Sequence, residues 1–151
     1  MLERQASVLT TLDSFERVAL ETDVASGLAA RAVFSSRVRV GSAVVETRFS
    51  QQAARDIYSL RFADALTGEP ATLVCYAVPD ERATYFWTAG DEARCWPAPL
   101  PASSVAFFAD AATFTAHFTS SSAVSLHAAS VAGTHRTAAL VGSSTAGKTT
   151  T

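Results

Sequence analysis

The sequence predicts an α/β fold, with an antiparallel α+β segment over residues 1–121 leading into the start of a second unit over 122–151. Three observations predict it. Short apolar runs with alternating character, punctuated by Gly, Pro and Asp, read as strands. Two longer segments carry apolar residues at helical spacing. The last ten residues, Gly142 to Thr151, open with the pattern G-x-x-x-x-G-K-[ST] directly after the apolar run Ala138 to Val141.

The elements follow in order. Leu9, Leu12, Phe15, Val18 and Ala19 keep a helical spacing behind Asp13 or Ser14 as a cap. Residues 37–40 and 44–49 alternate as strands, with a break at Gly41-Ser42. Ser50 reads as the N-cap of a helix over residues 51–66, which buries Ala54, Ile57, Tyr58, Phe62, Ala65 and Leu66 and stops at Gly68. Residues 71–78, 83–88 and 93–96 form an antiparallel meander turned at Pro79 to Arg82 and at Gly90-Asp91. Pro97, Pro99 and Pro101 make a stiff connector. Ser103 or Ser104 then caps a helix whose stripe is Phe107, Ala111, Phe114 and Phe118. After a polar break at Thr119 to Ser122, residues 124–132 and 136–141 form two strands joined through Gly133-Thr134.

Composition narrows the class. At 151 residues and 48% hydrophobic content the chain can bury a core. A net charge of −2 without an arginine cluster argues against a nucleic-acid partner. No run approaches the roughly 18 apolar residues of a membrane span, so a soluble, cytoplasmic protein is expected. Cys75 and Cys95 stand twenty positions apart, outside any C-x-x-C spacing, and read as two buried, reduced thiols.

The terminal motif carries the chemistry. Gly142 and Gly147 let the backbone of Ser143, Ser144, Thr145 and Ala146 wrap closely enough for its N–H groups to face phosphate oxygens. A helix beginning near Gly147 adds the positive end of its dipole. Lys148, the only lysine in the chain, reaches toward the β- and γ-phosphates, and the Thr149 hydroxyl ligates Mg2+, with Thr150 beside it. A strand running straight into the glycine loop is the arrangement this motif requires. The expected cofactors are ATP and Mg2+.

Leu126-His127-Ala128-Ala129-Ser130-Val131, Gly133 and Ala138 to Gly142 together resemble the start of the catalytic domain of HPr kinase/phosphorylase-like proteins. There a strand carrying a Leu-His pair precedes a turn, a second strand and the P-loop. The fifteen residues from His127 to Gly142 match that spacing. The resemblance covers residues 124–151 and implies a P-loop kinase-like fold, here truncated after the loop. It implies ATP-dependent phosphorylation of a serine hydroxyl on a protein or peptide, with Lys148 and Thr149 at the phosphates and His127 beside them. It also implies a homo-oligomer. The family's catalytic aspartate, second magnesium ligand and later arginine fall beyond Thr151, so the 151 residues alone are expected to be inactive, and poorly soluble because the strand ending at Val141 lacks the helix that would cover it. Thr145 replaces a usual glycine, Thr149-Thr150 replaces Ser-Glu, and Ala128 replaces the glycine after the histidine. These departures favour the broader kinase-like relatives, including peptide-tailoring kinases, over the narrow HPr kinases.

Other candidates have plainer accounts. His127 also reads as a strand histidine bonded within the core, His117 lies off its helix stripe, and His135 sits in a turn. The three histidines and two cysteines show no zinc spacing. Asp80-Glu81 and Asp91-Glu92 occupy turns, where solvated acids are ordinary. Tyr85, Phe86, Trp87 and Trp96 read as core packing rather than a base-stacking platform. Two alternatives to the kinase stand: a transporter-type P-loop ATPase, disfavoured by the long stretch ahead of the loop, and a catalytically inactive remnant.

Overall fold

The computed structural model describes residues 15–120, 128–132, 134 and 137–141. The strands are β1 (Glu16–Val18), β2 (Phe34–Val40), β3 (Ala43–Phe49), β4 (Leu73–Pro79), β5 (Thr84–Thr88), β6 (Ala93–Trp96), β7 (Ala128–Ala132) and β8 (Thr137–Val141). The helices are α1 (Thr22–Arg31), α2 (Gln52–Arg61) and α3 (Ala102–Ser120), with a 3-10 turn at Ala63–Ala65. The first six strands form one mixed sheet in the order β1-β6-β5-β4-β3-β2, and β7 and β8 form a separate antiparallel pair. The α/β class is therefore correct.

The central sheet assembles from local pieces. Strands β2 and β3 are an antiparallel hairpin in which Val40 pairs with Ala43 across a two-residue turn. Gly41 holds φ 59° there, a value that costs residues with a Cβ about 1–2 kcal/mol. Strand β3 passes through α2 to β4 and pairs with it in parallel, so the segment expected to be antiparallel contains one βαβ unit. Strands β4, β5 and β6 make the expected meander. Its second turn closes with Asp91 N–H donating to the Thr88 carbonyl at 3.0 Å, and Gly90 at φ 95° fills the type II position that requires glycine.

The N-terminal expectation needs correction. Leu9, Leu12, Asp13 and Ser14 lie outside the described residues, but Phe15 leads into a strand rather than a helix, with Glu16, Arg17 and Val18 opposite Cys95, Arg94 and Ala93. Phe15 is buried, its ring 5.0 Å from Trp96 and 4.9 Å from Phe108. An open edge on β6 and an aromatic pocket outweigh a weak helical spacing. Strands β1 and β2 lie on opposite edges, five strand spacings or about 24 Å apart. The chain between them crosses one face of the sheet as α1. That helix buries Leu28 alone, which explains why no periodicity announces it.

The opposite face carries α2 and α3. Helix α2 is shorter than expected: Gln51 is its N-cap, without a side-chain cap bond, and it ends at Arg61. Ala54 and Tyr58 are fully buried, and Ile57, Phe62 and Ala65 pack beside them, whereas Leu66 is exposed. In α3 the buried residues include Val105, Ala106, Ala109, Ala111 and Thr113; of the expected stripe Ala111 is buried and Phe107 half-buried, and the side chains of Phe114 and Phe118 lie outside the described residues. Ser103 and Ser104 lie within its first turn, and Thr119 and Ser120 remain helical. The outer edge of β2 is partly covered: Val38 bridges Leu66, and Thr67 N–H donates to the Arg37 carbonyl at 3.1 Å.

Candidate functional site

The residues to which the sequence assigns nucleotide chemistry, Gly142 to Thr151 and His127, lie outside the described residues. His135 does too, and His117 is described only as a position in α3. The two strands that flank them are described. Strand β8 ends at Val141, the residue before Gly142, and β7 begins at Ala128, the residue after His127. Ala128 and Val141 are register partners, so the two strands meet at the end of the hairpin from which the motif continues.

Within the described residues, three side-chain groups concentrate polar chemistry. The first lies on the α1 face. Arg37 of β2 stands directly opposite Glu46 of β3, and Arg48 follows Glu46 by two positions, on the same face. Both guanidinium groups donate to Glu46 through Nε at 2.6 Å. Burial pushes the Glu46 carboxyl up, but the two arginines outweigh it and hold the group below its ordinary range. Arg48 also stands 5.9 Å from the centre of the Tyr76 ring, which stacks on Trp87 at 4.5 Å and 10°. Arg48, Tyr76 and Trp87 are neighbours in one row across β3, β4 and β5.

The second group is buried beneath α2 and α3. The Tyr58 hydroxyl lies 2.8 Å from Thr113 Oγ1 and 3.2 Å from Thr47 Oγ1, and Thr113 donates to the Ala109 carbonyl at 2.8 Å. Burial pushes Tyr58 up to about 12, so the phenol stays protonated and serves as a structural bridge. Nearby, Asp110 accepts from Arg61 at 2.9 Å, yet burial still raises its carboxyl above the usual value.

The third group sits where the parallel strands end. Ser50 and Gln51 follow β3, Pro79 closes β4, and Asp80 begins the turn to β5. Arg31, from the end of α1, donates to Asp80 Oδ1 at 2.8 Å and to the Pro79 carbonyl at 3.1 Å. With Pro99 these residues line an open crevice of about 510 Å3. The arginine, together with the Glu81 N–H, lowers the Asp80 carboxyl.

The remaining sequence candidates are now placed. Glu81, Asp91 and Glu92 are exposed turn acids, and Asp80 is tied to Arg31. Phe86 and Trp87 are core residues, whereas Trp96 is partly exposed against Phe15. Cys75 and Cys95 are both free thiols; only Cys75 is fully buried. Among the described residues no group of His, Cys, Asp and Glu is arranged to hold a metal, and no helix is long and apolar enough to cross a membrane. The Glu46 clamp and the crevice went unread because both are made by strand pairings that sequence periodicity does not encode. No family model, curated protein or solved structure matches the chain.

Proposed function

We propose that the chain carries the nucleotide cradle of a cytoplasmic, ATP-dependent kinase resembling the HPr kinase/phosphorylase type, which phosphorylates a serine hydroxyl of a protein or peptide. The observation that supports this reading best is the strand β8 ending at the residue before Gly142-Ser143-Ser144-Thr145-Ala146-Gly147-Lys148-Thr149. A strand feeding a glycine loop lets consecutive N–H groups turn toward phosphate oxygens. Lys148 neutralises charge on the transferred group, and phosphoryl transfer depends mostly on such positioning and neutralisation. Thr149 offers the hard oxygen that Mg2+ prefers, with phosphates and water completing its shell. The metal supplies charge stabilisation on the phosphates when bound. The family resemblance implies a place beside the phosphates for His127, whose following residue, Ala128, is the register partner of Val141.

The test is Mg2+-dependent binding of a fluorescent ATP analogue to the 151-residue chain and its variants. Lys148→Ala should weaken binding by about 10- to 100-fold. Thr149→Ala should abolish the magnesium dependence while leaving residual nucleotide affinity. Equal affinity of the parent chain and Lys148→Ala would remove the basis for the kinase reading.

A further inference from the structure

We infer that the crevice at the carboxyl ends of β3 and β4 is a binding site for a small zwitterion of the amino-acid class. This site is separate from the nucleotide motif and does not depend on it. Three observations carry the inference.

The first is topological. Strands β3 and β4 are the parallel pair of the sheet, and their chains part where they end. The β3 chain turns to the α2 face, whereas Arg31 arrives at the end of β4 from α1 on the opposite face. The β4 chain itself turns straight into β5, so the crevice is framed by the start of α2 on one side and the end of α1 on the other. The crevice, of about 510 Å3, is open to solvent and has room for a molecule of amino-acid size.

The second is an orphaned acceptor. Gln51 lines the crevice, and its Oε1 atom is buried with no hydrogen-bond partner among the described residues. A buried acceptor left in this state costs about 1–3 kcal/mol, a cost that a donor from a bound molecule removes.

The third is the pairing of charges. Arg31 spends two of its five N–H donors on Asp80 and Pro79, leaving three that can face a carboxylate. Asp80 Oδ1 takes both Arg31 and the Glu81 N–H, which leaves the charge of Oδ2 to meet a cation. The carboxylate of an amino acid is matched by Arg31 and the Ser50 hydroxyl, and its ammonium group by Gln51 Oε1 and Asp80. Pro79 and Pro99 offer apolar surface to its side chain. A simple anion satisfies only the first half of this set, and a simple amine only the second.

The experiment uses the full 151-residue chain, the common L-amino acids as probes, and acetate and methylamine as half-ligands. Binding is read from the amide NMR shifts of Ser50, Gln51 and Asp80. At least one amino acid should bind with Kd on the order of 1 mM, with both half-ligands about tenfold weaker or worse. Gln51→Leu should weaken that amino acid by about tenfold without lowering the melting temperature, since it also removes the orphaned acceptor. Arg31→Gln should weaken it similarly. The site is disproved if no amino acid shifts these amides. It is also disproved if acetate matches the best amino acid, which marks an adventitious ion only, or if Gln51→Leu binds as tightly as the parent.

Discussion

On one face of the sheet Phe49, Ala77 and Phe86 meet two helices, whereas on the other Arg37, Glu46 and Arg48 close over β2 and β3 with charge. The α2–α3 face is largely apolar, and its most buried polar knot, the Tyr58–Thr47–Thr113 contacts, is set where two helices and a strand converge. The α1 face has a helical cover over Val78, Trp87 and Ala93, and arginine stems over the rest. A helix can bury only the strands it crosses, and α1 contributes one fully buried side chain. The strands beyond its reach exclude water from Glu46 with paired side chains instead. Apolar burial on the first face has no charge to screen or titrate; the ionic clamp on the second is weakened by salt screening and by acid.

The largest effect that tests this contrast is at Tyr58. Tyr58→Ala should cost about 3–5 kcal/mol in urea unfolding, because it opens a cavity and unties the polar knot. Tyr58→Phe should cost about 0.5–1.5 kcal/mol, because Thr47 and Thr113 lose the phenol but keep each other at 3.2 Å. A cost near zero for Tyr58→Phe would mean that the knot adds nothing to the packing.

On the clamp side, Glu46→Gln should cost about 1–2 kcal/mol at neutral pH, since its arginine partners are more than a third exposed and solvent screens them. The folded Glu46 carboxyl lies below its unfolded value of about 4.3. Its contribution is therefore complete above that pH and is lost as pH falls through the lower folded value. Melting curves of the parent and Glu46→Gln should converge in that acid range. Curves that stay parallel to the lowest pH would show that the clamp carries no charge-dependent stability.

The two thiols give a smaller, chemical comparison. Cys75 faces the α2–α3 side of the sheet, and burial pushes its thiol up to about 11. Cys95 is raised too but is partly open to solvent. Iodoacetamide at mild alkaline pH should label Cys95 at least about tenfold faster, read by peptide mass mapping. Least of all, Leu60→Gln on the outer side of α2 should change stability by no more than about 0.5 kcal/mol, because Leu60 is 78% exposed. A larger loss would show that something covers that side.

Much of the central sheet was legible. Strand β6 and the Gly90 turn fall where turn residues and alternation put them, because both are written in a few consecutive residues. The Ala54–Tyr58 face of α2 was legible for the same reason, through its four-residue spacing. Helix α1 was not, because Gly27 interrupts it and only Leu28 anchors it. The stripe of α3 was legible only at Ala111 among its described residues, because nearly every position in that helix is apolar or small and periodicity cannot choose a face. The nucleotide residues were legible only as a pattern.

By itself the sequence determined the local grammar: which runs extend, where the chain turns, and that a glycine-lysine-threonine loop follows an apolar strand. Only the tertiary structure decided that Phe15 to Val18 joins β6, that β3 and β4 run parallel, and that Arg37 meets Glu46. The reason is range. Turns and periodicity depend on neighbours within a few residues, whereas strand partners are selected by burial and unsatisfied edges across dozens of positions.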